Sequence, residues 1–121
     1  MIQSRSIYAD IGGREAVEAV VSDFYDRVFD DPLLEPYFEG VDREALYAHQ
    51  VQFVSAVAGG PVSYEGADMR EAHEGMGVTA EAFGRVATHL GEALRENGVA
   101  EGDVETILEA VGALEPDVVG R

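Results

Sequence analysis

The chain has 121 residues, 46% of them hydrophobic, enough to bury one core but too few for two ordinary domains, so a single domain over 1–121 is expected. Twenty-four acidic residues face eight basic ones for a formal net charge of −16; such a surface repels nucleic acid and anionic membranes, and neither is an expected partner. There are no cysteines, which excludes disulfides and thiolate metal ligation, and no apolar run approaches the roughly 18 residues of a membrane span.

Helical periodicity dominates from end to end, with no strand-like alternation of useful length. Ser4 to Ile11 reads as a short opening helix, stopped by Gly12-Gly13. From Arg14, the residues Val17, Val20, Val21, Phe24, Tyr25, Val28 and Phe29 fall on one buried stripe. Asp31-Pro32 reads as a cap followed by proline at the first helical position, opening a turn that carries Leu33, Leu34, Tyr37 and Phe38 and ends at Gly40. Asp42 can cap a helix on which Leu46, His49, Gln50, Phe53 and Val57 share a face, and Gly59-Gly60-Pro61 terminates it. Thr79 caps a long helix with Phe83, Val86, Ala87, Leu90, Ala93 and Leu94 inward, closed by Asn97-Gly98. A last helix from about Asp103 carries Val104, Ile107, Leu108 and Val111. Periodicity alone predicts an all-α protein of four substantial helices with short connecting turns.

Charge and the N-terminus carry further expectations. Like charges strain a compact state at low ionic strength, and at about 1 M salt the Debye length of about 3 Å removes most of that repulsion. The acidic balance therefore resembles that of proteins from a halophilic microbe, although an acidic mesophilic protein with genomic bias against Lys has the same composition. The start, Met1-Ile-Gln-Ser-Arg5, lacks the apolar segment of a signal peptide, so a cytoplasmic location is expected.

Within Met69-Arg-Glu-Ala-His73-Glu-Gly-Met-Gly-Val78, a histidine stands on a single helical turn that two glycines end abruptly. An imidazole so placed can reach out of the fold as an axial ligand to a metal or haem iron, while among Glu71 and Glu74 it also reads as a surface histidine. Tyr25 and Gln50 lie on apolar stripes, where an unsatisfied polar group costs about 1 to 3 kcal/mol. A bound dioxygen accepting their hydrogen bonds would resolve that cost; so would a backbone carbonyl for Tyr25 and a stripe-edge position for Gln50.

The order and spacing of Phe24-Tyr25, Phe38, Gln50, Gly59-Gly60-Pro61-Val-Ser-Tyr64-Glu-Gly66 and His73 closely resemble the group I, N-type truncated haemoglobins, from Ser6 to about Pro116. The resemblance implies the two-over-two helical sandwich of a truncated globin. It implies His73 as the axial iron ligand and Tyr25 with Gln50 as the distal pair. Phe38 matches the aromatic that packs on the haem face, and Leu46, Phe53, Met69, Val78 and Phe83 would line the rest of the pocket, as they would the core of any helical protein. With no cysteine for thioether attachment, the cofactor is expected to be haem b, held non-covalently. Met69 and Met76 are poorer ligand candidates in their glycine-bounded turn, and His89 reads as a partly exposed helical residue. Two positions depart from the family. His49 stands where many relatives carry a basic residue that reaches a haem propionate; it could keep that role or swing inward to the sixth iron position. Val54 replaces a second aromatic proposed as a tunnel gate, which implies a wider, ungated route.

The function that follows is reversible binding of dioxygen and other small diatomics, such as nitric oxide or carbon monoxide, at a pentacoordinate iron. The same site permits nitric oxide dioxygenation to nitrate, which would need a separate reductase because the globin leaves no room for a flavin or NAD domain. A cofactor-free helical interaction module explains the stripes but not the polar pair.

Overall fold

The computed structural model describes residues 7–60 and 77–119. The run bearing Met69, His73 and Met76 lies outside the described residues, as does the beginning of the expected opening helix. Six α-helices and one 3-10 turn make up the regular structure of the described residues: α1 (Ile7–Ile11), α2 (Arg14–Phe29), the 3-10 turn (Glu35–Phe38), α3 (Arg43–Val57), α4 (Ala80–Glu96), α5 (Glu101–Gly112) and α6 (Glu115–Val118).

The two strongest predicted starts are caps made by side chains. Asp42 accepts hydrogen bonds from the Glu44 and Ala45 amides at 3.0 and 3.3 Å, opening α3, and Thr79 accepts from the Ala82 amide at 3.0 Å, opening α4. Each such cap contributes about 1 kcal/mol by satisfying an amide that the first helical turn leaves without a partner. Asn97 closes α4, its side chain donating to the Ala93 carbonyl at 2.8 Å, and Gly98 follows at φ 82°. The last helix begins at Glu101, two residues before its expected start, on the backbone bond from the Asp103 amide to the Ala100 carbonyl; no side chain caps it.

Asp31 does not open a helix. It accepts from the Leu33 amide at 3.0 Å, so it organises a turn, and the 3-10 segment starts later at Glu35 with Pro36 in its first turn. The α1–α2 junction needs Gly12 and Gly13, whose φ values of 117° and 76° would strain any side chain.

Helix α2 is the central element. Val17, Val20, Val21 and Val28 are completely buried, each contributing on the order of 1.5–3 kcal/mol through apolar burial. It packs on both α3 and α4, while α4 packs on α5 and α3 meets α5. Helix α2 thus pairs with α3 and α4 with α5, and the two pairs meet chiefly where α2 packs on α4. The Tyr47 hydroxyl donates to the Glu18 carbonyl at 2.9 Å, pinning α3 to α2. Gly91 brings α4 against α5, since a Cβ there would stand 3.1 Å from Leu108 Cδ1.

Candidate functional site

Between the helix pairs lies a cavity of about 240 Å³. Its wall takes Phe24 and Tyr25 from α2, Leu46, His49, Gln50 and Phe53 from α3, and Ala82, Phe83, Val86 and Leu90 from α4. Leu34, Tyr37 and Phe38 close one side, and Val111, Leu114 and Val118 close another. Tyr25, Phe38, Leu46, His49, Gln50, Phe53, Val78 and Phe83, eight positions singled out in the sequence, therefore meet on one surface. His73 and Met69 lie outside the described residues. Val54 is fully buried and is not part of the described lining.

The partial exposure of Phe38, Leu46, Phe83 and Val86 has a simple cause: their stripes face a cavity, whereas the valine stripe of α2 faces other helices. Val41, 40% exposed, is the large apolar residue that the described fold leaves open to solvent, and it too lies on the lining. An apolar residue at the solvent edge of an apolar cavity suits a hydrophobic ligand that would cover it.

The polar groups of the wall are few. Tyr25 is 6% exposed, and its burial pushes the phenol well above the ordinary tyrosine range, so it stays a neutral hydrogen-bond donor. Among the described residues its hydroxyl finds no protein partner, and neither does the Gln50 side-chain amide; the backbone-carbonyl alternative for Tyr25 is not realised there. The ring is held by other rings: Phe24 at 5.0 Å, Phe29 at 5.3 Å and Phe38 at 6.3 Å between centroids.

One pairing was not foreseen. His89, read as a partly exposed helical residue, points its Nε2 at Asp31 Oδ2 at 2.8 Å, and Arg85 Nη1 approaches the same oxygen at 3.4 Å. The two side chains are 16% and 5% exposed. A carboxylate can only accept, so the imidazole presents Nε2–H to it, leaving Nδ1 buried with no partner among the described residues. The His89 bond is the main cause that holds the Asp31 carboxyl below its usual range, helped by the Leu33 amide and Arg85 and opposed by burial. This cluster ties the turn carrying Leu34 to α4, directly behind the cavity wall formed by Leu34 and Leu90. Its partners are 58 residues apart, so no local spacing announces it. The contributions of Val111, Leu114 and Val118 were equally unannounced as site residues, although Val111 sat on a recognised stripe and Pro116 marks the first turn of α6.

Four main helices packed in pairs around an apolar cavity, with a phenol on its wall that has no partner among the described residues, describe a small globin. The family model for bacterial-like globins matches residues 6–119. A Group 1 truncated hemoglobin of Mycolicibacterium paratuberculosis is 45% identical over 113 residues, covering 93% of this chain and 83% of that protein. The truncated hemoglobin of Tetrahymena pyriformis in its Fe(III) form superposes with a TM-score of 0.89 at 29% identity, over 97% of this chain and all of that one. The 2/2 hemoglobin of Synechococcus sp. in the cyanomet state, which has covalently attached heme, gives 0.87 at 30% identity over 97% and 100%. The chain belongs to the bacterial-like globin family, within its group 1 truncated haemoglobins, and its helical sandwich is the two-over-two globin fold.

Proposed function

We propose that the protein is a haem protein that reversibly binds dioxygen, with His73 as the only protein ligand to a pentacoordinate iron. The observation that carries this reading is the pair of polar side chains on the cavity wall, Tyr25 and Gln50, neither of which has a protein hydrogen-bond partner among the described residues. Polar groups that face an apolar cavity without a partner cost up to about 1–3 kcal/mol each, and a small ligand with a polar outer atom removes that cost. Carbon monoxide and nitric oxide are further ligands of the same size.

The donor set fits haem b. Phe38, Leu46, Phe53, Met69, Val78 and Phe83 would hold it by apolar contact, His49 would face a propionate, and His73 would ligate the iron. When bound, haem supplies a ferrous iron that takes a diatomic gas. The protein's part is to exclude water, to present the Tyr25 and Gln50 donors to the gas and to keep the phenol protonated by burying it. The absence of cysteine supports non-covalent attachment; the covalent heme of the Synechococcus relative makes the test of attachment a necessary one, and acidified-acetone extraction should remove all haem from this protein.

Nitric oxide dioxygenation is a finer reading of the same site. Nitric oxide and dioxygen combine to nitrate with uptake of one electron, so turnover requires an electron donor, and a separate reductase is the one proposed. The −16 charge supports a high-salt cytoplasm as the working environment, because repulsion of that size is screened only at high ionic strength. The functional proposal is tested by absorption spectra of the purified protein in ferric, ferrous and dioxygen-exposed states. A Soret band that shifts reversibly with dioxygen supports it; a folded chain that takes up no haem overturns it in favour of a helical interaction module.

A further inference from the structure

The Tyr25 hydroxyl has no hydrogen bond to anchor it among the described residues, so the direction in which it points is set by what holds its ring. Phe29 stacks on that ring, with centroids 5.3 Å apart and planes 16° from parallel. Phe38 meets Phe29 edge-on at 5.5 Å and 85°, and meets Tyr25 in the same way at 6.3 Å and 81°. The outermost member of the stack is a cation. The guanidinium carbon of Arg43 lies 4.2 Å from the Phe29 ring centroid, over the ring.

Two features make Arg43 unusual at this position. It is the first residue of α3, directly after the Asp42 cap, and a positive charge there opposes the helix dipole. Moreover, in a chain with 24 acidic residues, Arg43 forms no ion pair with a carboxylate among the described residues; its recorded contact is the Phe29 ring. Among the described residues, neither helix stability nor an ion pair accounts for an arginine here. A cation over a ring face does account for it, because the electrostatic attraction holds Phe29 in place and Phe29 in turn limits the rocking of Tyr25.

We propose that Arg43 is a positioning residue for the Tyr25 hydroxyl, acting through the Phe29 ring, so that it slows the release of dioxygen without touching the gas. The inference rests on the reading of Tyr25 as a donor to bound dioxygen. Arg43 is exposed, so its removal leaves no hollow in the core, and relief of the unfavourable charge at the start of α3 should leave the thermal midpoint unchanged or slightly raised.

The test uses the ferrous holoprotein and compares wild type, Arg43→Ala, Arg43→Lys, Tyr25→Phe and the Arg43→Ala/Tyr25→Phe double variant. An exposed cation–π contact predicts that Arg43→Ala speeds dioxygen dissociation about two- to fivefold, with carbon monoxide dissociation changed much less. Arg43→Lys should recover part of the wild-type rate. In the double variant the Arg43 effect should vanish, because the hydroxyl it positions is gone. In the carbon monoxide complex, the C–O stretching band of Arg43→Ala should broaden or split as the phenol samples more orientations, a change that a purely structural role for Arg43 would not produce. If Tyr25→Phe speeds dioxygen release but Arg43→Ala does not, or if the Arg43 effect persists undiminished in the double variant, the positioning role is overturned while the distal role of Tyr25 stands. If Tyr25→Phe itself leaves dioxygen release unchanged, the distal reading fails, and the role proposed for Arg43 fails with it.

Discussion

Removing the Tyr25 hydroxyl should have opposite consequences for ligand retention and for stability. In the unliganded protein the residue is buried, 6% exposed, and it lines the cavity with no hydrogen-bond partner for its hydroxyl among the described residues. Leaving such a group unsatisfied costs about 1–3 kcal/mol. Tyr25→Phe removes that cost and keeps the ring contacts with Phe24, Phe29 and Phe38, so the ferrous, gas-free protein should melt at the same temperature or slightly higher. Dioxygen that has drawn negative charge onto its outer atom is a strong acceptor, and a hydrogen bond to it is worth about 1.5–3 kcal/mol. At about 1.4 kcal/mol per factor of ten, its loss should speed dioxygen dissociation roughly ten- to a hundredfold. Carbon monoxide, a poorer acceptor, should respond much less, and Gln50→Leu should act on dioxygen in the same direction but more weakly. Stopped-flow dissociation rates for both gases, with thermal melts of the gas-free forms, measure all of this. A Tyr25→Phe protein destabilised by more than about 1 kcal/mol would show that the hydroxyl bonds to protein, and equal acceleration for the two gases would show altered packing; either result refutes the reasoning.

Three further outcomes follow from other parts of the fold. Because the Asp31 carboxyl is held below its ordinary value, chiefly by His89, its contribution to stability is complete above about pH 4 and fades as pH falls through the lowered value. His89→Ala should therefore lower the midpoint at neutral pH and flatten its fall in acid, as read from melts between about pH 6 and pH 2. Gly60→Ala should destabilise by about 1–3 kcal/mol, since a Cβ there would stand 2.7 Å from Tyr8 Cδ1 and 3.0 Å from the Ser55 carbonyl; chemical denaturation measures this, and because the closest contacts are with the Tyr8 ring, Gly60→Ala should cost much less in a Tyr8→Ala background than in the wild type. The midpoint should rise with KCl from about 0.1 to 3 M as the Debye length falls from about 10 Å to below 3 Å, and a flat or falling curve would remove the support for a high-salt habitat.

The fold was legible where side chains do the punctuation. Asp42 and Thr79 announced α3 and α4 to the residue, and Gly12-Gly13 and Asn97-Gly98 marked ends that backbone geometry requires. The start of α5 was misplaced by two residues because Ala100 caps it with backbone alone. Asp31 was misread because a carboxylate before proline serves a helix start and a turn equally well; the tie to His89, distant in sequence, settled the matter. On α2 and α3, the polar residues Tyr25 and Gln50 set into apolar stripes hinted at a site, and the resemblance to truncated haemoglobins singled out the lining positions that the cavity brings together. The wall on α5 and α6 was not legible, because an apolar residue facing a cavity has the same periodicity as one facing a helix. Arg43 carried no signal in the sequence either, since a cation over a ring depends on how α3 crosses the end of α2.

The central claim is a five-coordinate haem whose open position takes dioxygen, and the most direct test is the absorption spectrum of the reduced, gas-free protein beside that of His73→Ala. The account predicts one haem per chain, a high-spin five-coordinate ferrous spectrum, reversible conversion on exposure to dioxygen, and loss of stable haem in His73→Ala. A six-coordinate ferrous spectrum that becomes five-coordinate only in His49→Ala would contradict it, because His49 would then occupy the position assigned to the gas; wild-type haem content in His73→Ala would contradict it equally, by placing the axial ligand elsewhere.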